Sequence, residues 1–124
     1  MIYTHGAGWM LGGFDTHERL VRELANNANA AIVFVNYARS PKAQYPILIE
    51  EAYAATKWVA ENGKSINVDS SRLAVAGDSV GGNMAAAVTL LAKERGGPKG
   101  HRTFRSAIKE VSILDHSARP KSFC

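Results

Sequence analysis

At 124 residues, with 46% hydrophobic and 21% charged side chains, the chain has the size of one ordinary domain and the composition of a soluble globular one. That excludes a disordered chain, and no apolar run approaches the roughly 20 residues of a membrane span. The formal charge of +4 is unevenly held: residues 1–92 carry seven basic and eight acidic side chains, residues 93–124 eight basic and three acidic. A neutral body therefore bears a basic tail, and nucleic acid is not expected as a partner because no basic stripe is organised along the body.

The first residues, Met1-Ile2-Tyr3-Thr4-His5, contain no basic region followed by an apolar stretch, so no signal peptide is expected. The single cysteine, Cys124, has no internal partner. That is compatible with a reducing compartment, and a cytoplasmic location is expected.

Three strand signals alternate with three helix signals. Met1–Thr4 is a short apolar start running into His5-Gly6-Ala7-Gly8-Trp9. Asp15 or Thr16 can cap a helix in which Leu20, Val21, Leu24 and Ala28 recur at helical spacing. Ala30–Tyr37 is a continuous β-branched and aromatic run, as expected of a strand buried on both faces. Ser40-Pro41 and Tyr45-Pro46 mark a loop. From Ile47 to Asn62 the set Ile47, Ala52, Ala55, Trp58 and Val59 predicts an amphipathic helix, closed by Gly63 as a C-cap. Arg72–Gly77 reads as a third strand and Ser79–Arg95 as a third helix, ended by Gly96-Gly97-Pro98. The alternation predicts an α/β fold: three layers, with a short central parallel sheet flanked by helices. Beyond it, Phe104, Ile108, Val111 and Leu114 fall at helical spacing, so residues 100–124 are expected as a divergent basic tail, helical or disordered, after a core at 1–99.

Two turns carry chemistry. In Gly77-Asp78-Ser79-Val80-Gly81-Gly82 the chain passes from strand to helix within a few residues. Gly77 and Gly81 let the two elements approach, and the turn lifts the Ser79 hydroxyl to a helix N-terminus, where a developing negative charge is favoured. The N–H of Val80 is one expected oxyanion donor. His5-Gly6-Ala7-Gly8-Trp9 also follows a strand, and its backbone N–H groups, those of Gly6 and Ala7 in particular, can converge on one point. Such preorganised donors contribute about 3–4 kcal/mol each to acyl transfer. His5, Gly8, Gly77, Asp78 and Gly81 are expected to support the site. Nucleotide binding is disfavoured: the turn does not fit G-x-G-x-x-G and no Gly-Lys-Ser/Thr is present.

With Tyr37-Ala38-Arg39-Ser40-Pro41, Tyr45-Pro46 and Asn83 added, these motifs resemble the hormone-sensitive-lipase branch of the α/β-hydrolases, over roughly Met1–Lys99. The resemblance implies hydrolysis of small short-chain carboxylic esters through an acyl-serine, without metal or other cofactor. Ser79 matches the nucleophile, and Gly6, Ala7 and Val80 the oxyanion positions. Three residues depart from the family pattern: Ala7 replaces a glycine, at a cost of about 1 kcal/mol if its φ is positive, Lys42 replaces a glutamate and Glu51 an aspartate.

The larger departure is the activating pair. Triad order in this fold is serine, acid, histidine. After Ser79 only Glu94, Glu110, Asp115, His101 and His116 are available, none in a segment resembling the family's acid or histidine motifs. His5 and His17, upstream, are expected to be structural. Two readings follow: an ester hydrolase whose chain here is incomplete, or a non-catalytic remnant or interaction module that keeps part of the fold. The family's strand order also leaves the strand 72–77 with an expected unpaired edge.

Overall fold

The structure, a computed structural model, describes residues 1–97 and the backbone of residues 102–107 and 110–115. The elements run β1 (Ile2–Thr4), α1 (Phe14–Ala28), β2 (Val33–Val35), α2 (Ile47–Asn62), two 3₁₀ turns at Gly63–Ile66 and Ser70–Arg72, β3 (Ala74–Gly77), α3 (Val80–Glu94), β4 (Arg102–Ala107) and β5 (Glu110–Asp115). The strands form one sheet in the order β2-β1-β3-β4-β5, parallel except for the antiparallel β4–β5 pair.

Side-chain alternation along the short strands divides the core into two layers. Ile2, Val33, Val35 and Val75 face α2 and α3, where they join Leu48, Ala52, Val59, Met84, Ala85 and Val88. Tyr3, Phe34 and Ala76 face the other way, toward Val21 and Leu24 of α1. This is the expected three-layer arrangement. The parallel register of β1 with β3 sets Thr4 opposite Gly77, so the glycine-rich loop and the serine turn leave the sheet side by side.

Several local expectations are corrected. The strand expected over 30–37 is hydrogen-bonded only over Val33–Val35, because its partner β1 has three residues and then turns away. Helix α1 is capped by Gly13, not by Asp15 or Thr16, which lie in its first turn; the Thr16 hydroxyl accepts the Gly13 N–H at 3.0 Å. Gly63 does not end α2 in a left-handed cap: its φ is −52°, the chain continues as a 3₁₀ turn, and Asn67 (φ 57°) takes the left-handed position. Glycine is needed at 63 for room, since a Cβ there would lie 2.9 Å from the Val68 carbonyl oxygen. The spacing of Phe104, Val111 and Leu114 does not make a helix: those residues lie in β4 and β5. Strand β4 pairs with β3 through Ala74–Arg102 and Val75–Thr103, so the expected open edge of β3 is covered. Sheet pairing is a long-range contact that local periodicity does not report.

Candidate active site

The serine turn has the geometry its sequence requires. Ser79 holds φ 50° and ψ −121° at the N-cap of α3, a conformation costly for any residue with a Cβ. The hydroxyl of an N-cap serine ordinarily accepts a helix N–H. That of Ser79 does not, and it bonds to no other group among the described residues; the residue is exposed. What holds the turn is backbone. Asp78 O accepts Gly81 N–H at 2.7 Å, and Ser79 O accepts Gly82 N–H at 3.0 Å and Asn83 N–H at 3.3 Å.

The glycines beside Ser79 are required by contact. A Cβ on Gly77 would run into the carbonyl of Gly81, and one on Gly81 into the carbonyl of Thr4. The buried Thr4 hydroxyl closes the same point from β1, donating to Gly81 O at 2.7 Å, with Ala76 O at 3.2 Å.

Asp78 joins the two turns. Its Oδ1 accepts the Gly6 N–H at 2.9 Å and the Tyr3 hydroxyl at 2.6 Å, and its Oδ2 lies 3.5 Å from His17 Nε2 of α1. Burial, then the hydrogen bond and the negative charge of Asp78, raise the Tyr3 pKa far above that of a free phenol, so Tyr3 remains a donor. Burial and the same charge push Tyr37 up to about 12; its hydroxyl donates to His5 O at 2.8 Å.

This arrangement corrects the expected donor set. The Gly6 N–H is spent on Asp78 and points into the joint, where a Cβ on Gly6 would collide with Asp78 Oδ2. The N–H groups of Ala7, Gly8 and Val80 donate to nothing among the described residues. Ala7, Gly8 and Trp9 all hold positive φ (77°, 66° and 69°), so the strain anticipated for Ala7 is present.

His5 is wholly buried. Its ring stacks on Tyr37 (centroids 4.3 Å apart, 11° between planes) and lies parallel to Phe34 at 5.4 Å. Nδ1 is 2.9 Å from Gly6 O; a carbonyl only accepts, so Nδ1 carries the proton. Nε2 is buried without a partner among the described residues. Burial lowers the His5 pKa and keeps the ring neutral. The loop is braced from outside by Ser40 N–H on Trp9 O (3.0 Å) and by Arg39 on Gly12 O (2.5 Å). Glu51, the altered acid, accepts the Ala38 N–H at 2.7 Å and so fixes that brace. Lys42 is exposed and makes no hydrogen bond or ion pair among the described residues.

Sequence reading picked out Ser79, Ala7, Val80 and the glycines. It missed Tyr3, Thr4 and His17 as members of the site, because each reaches it through pairing of distant segments. His101 and His116 lie outside the described residues. Asp115 is the last residue of β5.

The family profile for the alpha/beta hydrolase fold matches residues 1–116, and the chain belongs to that family. Carboxylesterase NlhH of Mycobacterium tuberculosis is 47% identical over 98 residues, 79% of this chain and 31% of that protein. A protein of Acanthamoeba polyphaga mimivirus described as an α/β hydrolase is 43% identical over 123 residues, 99% of this chain and 34% of that protein. A thermostable esterase from Pseudomonas putida, solved by crystallography, superposes with a TM-score of 0.76 at 57% identity, over 78% of this chain and 31% of that one. The chain thus spans about a third of the length of these relatives. The motifs carry the resemblance only to Lys99, whereas the profile extends through β4 and β5. No helix among the described residues is long and apolar enough to cross a membrane.

Proposed function

We propose that this chain carries the nucleophile and the oxyanion donors of a carboxylic ester hydrolase. Ser79 Oγ attacks the ester carbonyl, and the N–H groups of Ala7, Gly8 and Val80 stabilise the tetrahedral oxyanion. The C–O bond then breaks to release the alcohol, and water hydrolyses the acyl-serine to the carboxylic acid. The observation that carries this reading is the Ser79 turn: a strained backbone whose hydroxyl is withheld from capping its own helix, beside three uncommitted N–H groups. The esterase relatives support ester as the substrate class. Gly8 takes the place first given to Gly6, whose N–H serves Asp78.

The proton of Ser79 goes to a base outside the described residues. His5 is buried with Nδ1 on Gly6 O, and His17 lies against Asp78. A serine hydrolase deprived of its histidine loses about a millionfold in turnover, with roughly 10³–10⁴ over water remaining from the oxyanion hole and binding. That commitment of both histidines favours a second reading, a remnant that retains the fold without turnover. Fluorophosphonate labelling decides between them. Labelling at Ser79, lost in Ser79→Ala, is the expected result; a folded chain that resists labelling and does not turn over p-nitrophenyl acetate would establish the remnant.

A further inference from the structure

Between Met10 and residues 36–42 lies a cavity of about 370 Å³, large enough for a small molecule. Two cations, Arg39 and Lys42, line it, and no Asp, Glu or His does. Lys42 is exposed and makes no hydrogen bond or ion pair among the described residues, so a ligand displaces only water from its ammonium. The Arg39 guanidinium is already fixed at one corner: Nη1 donates to Gly12 O at 2.5 Å, which leaves its other N–H groups for a ligand. The Asn36 amide and the Ser40 hydroxyl, both in the lining, bond to nothing among the described residues. Glu51 touches this segment, but its Oε2 accepts the Ala38 N–H at 2.7 Å and its side chain does not line the cavity. The remaining wall is apolar or committed: Met10, Ala38 and Pro41, with the Tyr37 hydroxyl donated to His5 O.

We infer that this cavity binds an organic carboxylate, its charged head between the Arg39 guanidinium and the Lys42 ammonium and its apolar body over Met10 and Pro41. A carboxylate accepts from a guanidinium fork through both oxygens, and hydrogen bonds between charged partners are the stronger kind. An inorganic anion gains the cations but nothing from the apolar wall. A neutral molecule gains the wall but not the cations. The two halves of the lining therefore define the ligand together. The site is separate from the proposed chemistry: neither Ser79 nor Ala7, Gly8 or Val80 belongs to its lining. Lys42 is also one of the residues at which this chain departs from the family pattern, so the cation pair does not follow from the fold.

Backbone amide shifts of the isotope-labelled chain, followed by NMR at constant ionic strength, test this. The titrants are sodium acetate, butyrate and hexanoate, with butyramide as the neutral control and sodium phosphate as the inorganic one. The expected result is saturable shifts at Met10, Ala38, Arg39 and Lys42. Affinity should rise about twofold per methylene, as for half-burial of each. Butyrate should bind about tenfold or more tightly than butyramide. Lys42→Gln should weaken butyrate about tenfold, and Lys42→Glu should abolish saturation. Lys42 is exposed and unpaired among the described residues, so both variants should keep the parent spectrum elsewhere. Arg39→Lys keeps the charge without the fork and should weaken butyrate without abolishing it. No saturation by any carboxylate, equal affinity for butyramide and butyrate, affinity indifferent to chain length, or binding unchanged in Lys42→Glu overturns the inference. Phosphate bound as tightly as hexanoate shows a general anion site and overturns the carboxylate assignment. Shifts centred on Ala7, Ser79 and Val80 place the ligand at the serine turn and overturn the location. None of these outcomes depends on turnover, so the inference and the proposed function fail separately.

Discussion

The seam between the serine turn and the glycine-rich loop and the seam between α2 and α3 are both closed by polar groups, but they differ in what those groups can do. In the first, Thr4, Gly77 and Gly81 meet backbone to backbone, and one carboxylate, Asp78, accepts the Gly6 N–H and so serves both turns. In the second, Arg95 reaches across the surface to Glu50 with bonds of 2.8 and 2.7 Å and lies over the Tyr53 ring at 4.9 Å. The Arg95 hydrogen bonds hold the Glu50 carboxyl below its ordinary pKa. Both partners are exposed on long side chains, and water substitutes for either at little cost. The contrast locates the precision of this molecule in atoms that cannot move aside, not in its strongest-looking charges.

The comparison would break most clearly at Gly81. Gly81→Ala drives a methyl into the Thr4 carbonyl, and β1 cannot retreat without leaving the sheet. A loss of about 3–5 kcal/mol, or no folding at all, is expected from urea unfolding; an unchanged midpoint would show that the seam is looser than described. Asp78→Ala orphans the Gly6 N–H and the Tyr3 hydroxyl together. It should cost about 2–3 kcal/mol and slow fluorophosphonate labelling of Ser79, whereas Tyr3→Phe, which removes a single bond, should cost about 1 kcal/mol.

Acidification probes the same seam through His5. The unfolded imidazole takes up a proton near pH 6.5, while burial depresses the folded pKa below that value. Below about pH 6.5 the unfolded chain therefore binds more protons, so the stability contributed by neutral His5 is complete above that pH and is lost on acidification toward the folded pKa. Urea midpoints measured from pH 7.5 down to 5 should fall, and the fall should flatten in His5→Phe. Ala7→Gly relieves the positive φ of 77° and should gain up to about 1 kcal/mol in the same assay. At the outer seam, Glu50→Gln should leave the melting temperature within error of the parent, a result that would sharpen the contrast.

The turn residues were legible because their chemistry is local. Ser79 between glycines, after Leu73-Ala74-Val75-Ala76 and before a helical run, requires no distant partner to be read. The same holds for α2, whose observed limits, Ile47–Asn62, follow the apolar spacing. Gly6 was misread as an oxyanion donor because nothing in a glycine-rich string tells which N–H a carboxylate 72 residues away will take. Residues 102–107 and 110–115 were misread as helical because their strand state depends on β3 as a template.

By itself, the sequence determined the α/β alternation, the serine turn and its family, since these rest on period, turn chemistry and side-chain-free positions written within a few residues of one another. Only the tertiary structure decided which N–H groups remain free, that Tyr3 and His17 belong to the site, and that β4 closes the edge of β3. Those outcomes depend on register: the pairing of Thr4 with Gly77 brings Asp78 beside Gly6, and no local signal encodes a distance between segments so far apart in the chain.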